Sequence, residues 1–456
     1  MEPVGSFNQR LTRAVMAPIL NTSRLYVAWV LFLVLVIVWG LFAYTRQLQD
    51  GLVVTGMRDR ISWGFYITNF VFFIGISHAG TLISAILRVS QAAWRTPVTR
   101  MAEFITAVAL AVGGLQPLLD LGRPDRFYFV IIHGRWQSPV IWDFLSITTY
   151  FTASIVYLFL PMLPDLGLLR DEMNERGGGL RARLYTLMAI GWRGTPGQRR
   201  RLGIAITIMM ILIIPIAVSV HTVVSWIFAM TVREPWDSTI FGAFFVAGAI
   251  FSGIAMLIIV MAVLRRVYHL EEYITEKQFV YLGYLLAAMA MIMIYGNLSE
   301  FVTTGYKINE DSEFHFRQLF AGQFAGFYWY YFIGGLVAPP ILMLIPFTRN
   351  IKGVVAASVL VLVAMWVERY FIVVASLRVP LMPYEPANYA PTWVEMSLMA
   401  ASFALFALLI TLFVKLFPIL AVWEIAEEHE NEVALSAARD HTEPAGVGIE
   451  PAGGRV

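Results

Sequence analysis

Long apolar stretches separated by short polar loops recur along this chain of 456 residues. A helix that crosses a bilayer needs about 20 mostly apolar residues. Ten stretches, numbered here as spans 1 to 10, meet that length at 25–45, 63–88, 101–119, 139–163, 202–230, 238–264, 278–303, 319–347, 353–375 and 393–422. The pattern therefore predicts an all-α integral membrane protein with about ten transmembrane helices.

Two of the spans carry related segments. Span 2 reads FFIGISHAG…ILRV (72–89), and span 6 reads FFVAGAIFSG…LRRV (244–267). Both run in the same direction across the membrane, so they indicate a parallel repeat, which is a known membrane architecture. We expect two four-helix bundles, spans 2–5 and 6–9, flanked by spans 1 and 10. The predicted divisions are 1–24, 25–62 (span 1 and an outer loop), 63–230 (first bundle), 231–375 (second bundle), 376–422 (outer loop and span 10) and 423–456 (tail).

Composition supports a lipid environment and excludes several other classes. Hydrophobic residues make up 58% of the chain and charged residues 14%, against roughly 25% charged residues in soluble proteins. A net charge of +2 does not indicate a nucleic-acid partner. Because the chain has no cysteine, it cannot itself ligate an Fe–S cluster through thiolates.

The distribution of basic residues predicts the orientation. The N-terminus, the even-numbered loops and the end of the chain carry about twice as many Lys and Arg residues as the odd-numbered loops, which places both termini in the cytoplasm. The N-terminus shows no cleavable signal pattern. We expect the Arg-rich loop 164–201 to lie on the membrane surface, and the tail from Glu424 to be acidic at first and disordered at its end.

Ionisable residues inside the spans are functional candidates, because each costs roughly 2.5–3.5 kcal/mol to insert. The strongest candidates are His78, Glu103, Asp143, His221, Glu300, Glu368 and Arg369. His78 lies near the middle of span 2, where Gly75, Ala79 and Gly80 leave room for another helix or for a flat ligand. The alternative is a structural histidine bonded to a neighbouring carbonyl.

Three of these candidates fall in the middle-to-outer half of the membrane. Asp143 lies one turn into span 4, where a carboxylate is also favoured by the helix dipole. His221 follows the helix-kinking Pro215 in span 5, and Ser225 lies one turn further on the same face. A histidine and a carboxylate are a suitable pair for accepting the two protons of a quinol. We therefore predict a site built from His78, Asp143 and His221, with Ser225 beside it.

The other four candidates admit two interpretations. Glu103 lies near the cytoplasmic end of span 3 and Glu300 near the outer end of span 7. Glu368 and Arg369 are neighbours in span 9, so they leave the helix about 100° apart, and we expect each to pair on another helix. The four are either buried ion pairs that set helix register or a path of protonatable sites.

Two further function classes fit parts of the pattern. Of seven histidines, only His78 and His221 lie within spans, which permits one haem b and no more. Parallel repeats and buried charges also occur in secondary transporters, for which span 8, with Pro339 and Pro340, offers a broken helix.

Several motifs together resemble one family. They are GISHAGTLISAIL (75–87), SPVIWD (138–143), GWRGTPGQRR (191–200), HTVVSW (221–226), STIFGAFFVAGAIFSG (238–253) and WVERYFIVVASL (366–377). The chain resembles the NrfD/PsrC-like membrane subunits of quinone-linked oxidoreductases, and more narrowly the ActC-type subunit of bacterial alternative complex III, with the ActF-type paralogue as second choice.

The resemblance implies a subunit without haem or Fe–S clusters of its own, in the bacterial cytoplasmic membrane. It would oxidise menaquinol or ubiquinol in the first bundle near the outer face and take part in proton translocation. Its implied partners are a periplasmic Fe–S subunit, multihaem cytochrome c subunits, a paralogous NrfD-like membrane subunit and membrane lipid. The chain departs from the family pattern at Ile227, often acidic, and at Trp236-Asp237, often Trp-His.

Overall fold

The computed structural model describes residues 4–92 and 94–442. Within these ranges the chain forms helices and no β-strand. Ten of the described helices are long and apolar enough to cross a membrane: Arg24–Asp50, Phe65–Val89, Thr96–Asp120, Pro139–Glu175, Pro196–Ala229, Phe241–Val267, Glu276–Tyr306, Ala325–Leu344, Ile351–Ala375 and Trp393–Leu416. They correspond one to one with spans 1 to 10. The predicted fold class is confirmed.

The largest difference from the predicted boundaries is in span 4. Its helix passes through Pro161 and Pro164 and ends at Glu175, because residues beyond the prolines are buried against the rest of the protein. The three glycines 177–179 then have positive φ angles, which residues without a Cβ adopt readily, and they turn the chain into the helix Leu180–Met188. Much of the loop predicted at 164–201 is therefore helical.

Two helices outside the spans pack against each other. The helix Val4–Leu20 contacts the helix Val422–Thr442, and the rings of Phe7 and His429 stack with centroids 4.0 Å apart. Neither helix is part of the predicted spans. The end of the tail, 443–456, for which we predict disorder, lies outside the described residues.

The spans contact each other in two sets of four. Spans 2 and 3, 3 and 4, 4 and 5, and 5 and 2 are in contact, and so are spans 6 and 7, 7 and 8, 8 and 9, and 9 and 6. We call spans 2–5 the first bundle and spans 6–9 the second bundle. Span 2 packs along span 6, while span 10 packs on spans 1 and 3. The segments that suggest a repeat are thus in contact between the bundles.

Glycines on span 2 permit close helix contacts. A Cβ added at Gly75 would lie 3.3 Å from the Oγ of Ser252 on span 6, and one at Gly80 would overlap the carbonyl oxygen of Ala102 on span 3. Of the two uses predicted for the small residues near His78, the structure shows the approach of neighbouring helices.

Spans 8 and 9 each contain a π-helical segment, Tyr330–Val337 and Phe371–Ala375. In span 8 the cause is local, since Pro339 and Pro340 have no N–H for the carbonyls four residues earlier. In span 9 the Ile372 carbonyl accepts a 2.7 Å hydrogen bond from the indole of Trp236, which is buried. Single π-helical turns inside α-helices are frequent at functional sites.

Candidate functional site

His78 and His221 meet between spans 2 and 5. Their ring centroids are 3.8 Å apart with the planes inclined by 52°, and both side chains are fully buried. Among the described residues no ring nitrogen of either histidine has a hydrogen-bond partner, although the Ala217 carbonyl faces His78. Buried polar groups are normally paired. Two buried imidazoles in contact, with no aligned hydrogen bond to a described residue, therefore mark a candidate site.

The walls of this site are mostly aromatic. Tyr150 of span 4 lies with its ring centroid 5.4 Å from that of His78, and its hydroxyl donates a 3.0 Å hydrogen bond to the Ser77 carbonyl. Phe245 of span 6 lies 5.4 Å from His221. The pair is thus enclosed by the first bundle on one side and by the start of the second bundle on the other.

Asp143 lies apart from the two histidines. It precedes Tyr150 by seven residues, so it shares a helix face with Tyr150 about 10 Å further along the axis. Its Oδ1 has no hydrogen-bond partner among the described residues, and no described contact joins it to a histidine. Ser225 donates to the Thr222 carbonyl and lies beside Gly242 of span 6. The structure brings two of the predicted site residues together and leaves Asp143 two helical turns from Tyr150, the residue of span 4 that contacts His78.

The geometry of the histidine pair does not fit a haem. Axial ligands bind iron from opposite sides of the ring plane, with metal–nitrogen bonds of about 2 Å. The two imidazole centroids of such a site would be at least about 6 Å apart. A centroid distance of 3.8 Å leaves no room for the haem plane, so a haem between these rings would require both spans to move.

Glu368 and Arg369 pair with each other, which corrects the expectation that they pair on other helices. Arg369 Nη1 lies 3.1 Å from Glu368 Oε2 and 3.4 Å from Oε1. Both side chains are almost fully buried. Their Cβ atoms do diverge by about 100°, but the long arginine side chain curves around the helix, so the charged ends converge.

The second guanidinium nitrogen of Arg369 connects the two bundles. Nη2 has no hydrogen-bond partner among the described residues, and it lies against Gly75 of span 2 and Gly248 of span 6. The guanidinium carbon is 4.7 Å from the ring centroid of Phe245, the residue that also contacts His221. One aromatic ring therefore separates the buried cation from the imidazole pair.

Glu300 and Glu368 line a cavity of about 80 Å³ inside the second bundle. Glu300 accepts hydrogen bonds from the hydroxyl groups of Ser238 and Thr304. A second cavity, of about 710 Å³, is a groove on the faces of spans 1, 6 and 10. Neither of these two cavities is lined by His78, Asp143 or His221.

Glu103 belongs to a different group of charges, on the first bundle. It accepts a 2.6 Å hydrogen bond from Ser84 and lies 3.4 Å from Arg88. Arg88 and Arg95 both contact Glu424 of the C-terminal helix, at 3.0 and 3.1 Å. Burial alone would raise the pKa of the Glu424 carboxyl, but the two arginines outweigh it and hold that pKa below its usual value. The four predicted path residues thus lie in two separate groups.

Sequence reasoning missed Tyr150 and Tyr157, which face the interior of the first bundle. The Tyr157 hydroxyl lies 3.3 Å from that of Ser84, the donor to Glu103. The spacing 143–150–157 places an aspartate and two tyrosines on one face of span 4. That seven-residue period was a signal present in the sequence. A buried pair of Arg100 and Asp165 was also missed, since Asp165 lies beyond the predicted end of span 4.

Comparison with known families now identifies the chain. A profile of the family described as "Polysulphide reductase, NrfD" matches residues 53–380, which include the whole of the first and second bundles and leave out spans 1 and 10. The chain belongs to the NrfD family. The matched region contains every residue of the predicted site and path.

Several curated proteins are similar to this NrfD-family chain. A protein of Halobacterium salinarum, provisionally named as a membrane component of dimethyl sulfoxide reductase, is 34% identical over 51% of this chain, and the match spans 50% of that relative. The Hdr-like menaquinol oxidoreductase integral membrane subunit of Archaeoglobus fulgidus is 23% identical over 88% of this chain and 96% of its own length. The integral membrane subunit of menaquinone reductase from Nitratidesulfovibrio vulgaris is 23% identical over 86% and 92%.

Proposed function

We propose that this NrfD-family chain is the membrane subunit of a quinol:electron-acceptor oxidoreductase of the alternative complex III type. The observation that carries the proposal is the buried pair of His78 and His221, whose ring nitrogens are free of hydrogen bonds in the described residues. The names of two relatives, a menaquinol oxidoreductase subunit and a menaquinone reductase subunit, support the choice of substrate class.

The proposed chemistry divides protons from electrons. Oxidation of a quinol to a quinone releases two protons and two electrons. Neutral imidazole is the side chain best suited to accept a proton near neutral pH, and the Asp143 carboxylate is the second acceptor. The two electrons pass to an Fe–S cluster of a partner subunit at the outer face, since this chain has no cysteine for a cluster of its own.

Substrate entry is proposed between the outer ends of spans 4 and 5. Trp142 and Trp226, the neighbours of Asp143 and Ser225 in sequence, stand there with ring centroids 6.3 Å apart. Both histidines are fully buried, so the side chains in this gap must part before a quinol ring can reach them.

Two groups of polar residues are proposed to carry protons away from the quinol. In the first bundle, the buried hydroxyls of Thr81 and Ser154 lie beside the Tyr150 hydroxyl. By helix position, these two residues lie between Tyr150 and the group of Tyr157, Ser84 and Glu103. In the second bundle, the candidates are Glu300, Glu368 and Arg369. Participation of either group in proton translocation is part of the proposal.

The proposal also covers the membrane, the orientation of the chain and its partner subunits. We place the quinol site in the first bundle, 63–230, and both termini in the cytoplasm of a bacterial cell whose inner membrane holds the protein. The proposed partners are a periplasmic Fe–S subunit, multihaem cytochrome c subunits and a paralogous NrfD-like subunit.

A secondary transporter is the second candidate, favoured by one observation. The cavity of the second bundle adjoins the π-helical segment of span 8, and interrupted helices are typical of transporter sites.

Purification of the native complex in mild detergent separates these candidates. We expect Fe–S signals in electron paramagnetic resonance and c-type haem bands in the visible spectrum, with the bands reduced on addition of menaquinol. A colourless chain that copurifies with no redox subunit would overturn the proposed function and favour transport.

A further inference from the structure

The cavity of the second bundle, which we call the second-bundle cavity, has walls suited to a flat organic ring. Its volume of about 80 Å³ is several times what one water molecule occupies, roughly 10–15 Å³ on a comparable measure. Aromatic rings form much of the wall: Phe241, Phe244, Phe301, Tyr328, Tyr331 and Phe371. Aromatic side chains bind other rings by stacking and by edge-to-face contact.

The cavity also contains a free hydrogen-bond acceptor. Oε2 of Glu368 is buried and has no hydrogen-bond donor among the described residues, because its 3.1 Å contact with Arg369 is an ion contact without hydrogen-bond alignment. Beside it, the Asn297 amide donates a 2.8 Å hydrogen bond to the Tyr331 hydroxyl. Buried polar atoms in native proteins are nearly always paired, so an acceptor without a donor indicates that a ligand supplies one.

The helix geometry around the cavity also supports a ligand site there. Tyr331 lies in the π-helical segment of span 8, and Phe371 begins that of span 9. These segments turn their side chains out of α-helical register, and such irregularities are frequent at functional sites. Two of them, on neighbouring helices, flank the same cavity.

We propose that the second-bundle cavity binds the ring of a hydroquinone, with one phenolic hydroxyl donating to Glu368. A metal cation fits less well, because the aromatic walls offer few oxygen ligands. A neutral aromatic ring can pack against the aromatic walls, and its hydroxyl can donate a hydrogen bond to Oε2 of Glu368. The ligand class rests on the proposed function, since it is the class of the proposed substrate, but the site is separate from the histidine pair.

Photolabelling of the intact purified complex tests the proposal. The probe is a short-chain naphthohydroquinone that carries a diazirine, and labelled peptides are identified by mass spectrometry. We expect labels in the first bundle and, independently, around the second-bundle cavity. Ile240→Trp, which replaces an aliphatic side chain at the cavity wall by the larger indole, should reduce labelling of the second bundle at least ten-fold and leave the first bundle labelled.

The matched control is Leu298→Trp, which introduces the same residue in place of an aliphatic side chain on an exposed face of span 7 and should not change labelling. If the Ile240 variant does not assemble, the double variant Glu368→Gln/Arg369→Met, which leaves neither charge of the pair buried alone, serves instead and should lower labelling several-fold. Labels confined to the first bundle, or equal labelling in the Ile240 and Leu298 variants, would overturn this inference alone. Absence of labels from both bundles would also remove the proposed function.

Discussion

The His78–His221 pair of the first bundle and the Glu368–Arg369 pair of the second bundle are accommodated in different ways. In the first bundle, the rings of His78 and His221 pack directly on each other, and neither of the two cavities is lined by them. In the second bundle, Glu368 and Arg369 form an ion pair beside a cavity. Neutral imidazoles can pack like other flat rings, whereas buried charges need a counter-charge and leave atoms unsatisfied when the surroundings are apolar.

This difference shows that two bundles with related segments need not carry the same kind of site. Spans 2 and 6 carry related segments and contact each other, yet the chemistry contributed by each bundle comes from different side chains on different spans. Four measurements test the difference between the two bundles.

The largest effect is expected in the first bundle. His78→Ala removes the proposed proton acceptor, and general-base groups contribute about 10²–10⁴-fold to rate. The proposed quinol oxidation by the purified complex should therefore fall by that factor while the complex still assembles. His133→Ala, at an exposed residue, is the control and should stay within about two-fold. Normal turnover by an assembled His78 variant would remove this residue from the site.

The next effect is one of stability, in the second bundle. Arg369→Met leaves the Glu368 carboxylate buried without its counter-charge, which costs about 3–5 kcal/mol. We expect the yield of assembled complex, measured by size-exclusion chromatography, to fall sharply. The double variant Glu368→Gln/Arg369→Met removes both charges and should recover most of the yield. If the single and double variants lose the same yield of assembled complex, the unpaired Glu368 charge is not the cause of the loss.

Glycine-to-alanine substitutions compare how tightly the two bundles are packed. A Cβ at Gly80 would overlap the backbone of Ala102, while one at Gly296 would lie 2.7 Å from the ring of Phe244, which borders the cavity and can shift into it. Gly80→Ala should therefore destabilise the complex by about 1–3 kcal/mol and Gly296→Ala by less. Gly114→Ala, where no atom of the described residues lies within 4 Å, is the neutral reference. Thermal unfolding ranks the stability of the three variants. A larger loss of stability for Gly296→Ala than for Gly80→Ala would contradict the expected difference in packing.

The smallest effect concerns pH and the helix that covers the cavity. His315, on the helix Glu310–Phe320, is buried, and burial lowers its pKa from 6.5 to about 4. The unfolded helix therefore binds more protons below pH 6.5, so stability is lost as the pH falls from 6.5 to about 4, by about 1.4 kcal/mol at pH 5.5. Hydrogen exchange of this helix at pH 7 and 5.5, corrected for intrinsic rates, measures the loss. His315→Gln should abolish most of it, and an unchanged slope in that variant would assign the effect to other groups.

The sequence was sufficient for the membrane fold, because a span is specified locally. Twenty consecutive apolar residues are recognisable without any partner, and each of the ten predicted spans has its helix in the structure. The predicted end of a span was wrong where tertiary contacts continue the helix, as beyond Pro164 in span 4. The helix Val4–Leu20, which packs on the C-terminal helix and on span 10, was not predicted, because it is too short and too polar to be a span.

The candidate site was predictable only in part. An ionisable residue inside an apolar span stands out from composition alone, so His78, His221, Glu368 and Arg369 were found. Their partners were not, since the depth and rotation of one span against another depend on contacts between residues far apart in the chain. The expectation that Glu368 and Arg369 pair elsewhere was wrong because it considered the helix directions and not the reach of the arginine side chain.

What the amino-acid sequence determined by itself was which segments enter the bilayer and which of their residues are costly there. Both are local properties, set by the transfer of each side chain from water to lipid. Only the tertiary structure decided that two imidazoles touch, that one ion pair faces both bundles, and that a cavity remains beside it. These depend on how neighbouring helices fill the space between them, which is a property of pairs of surfaces and not of any single segment.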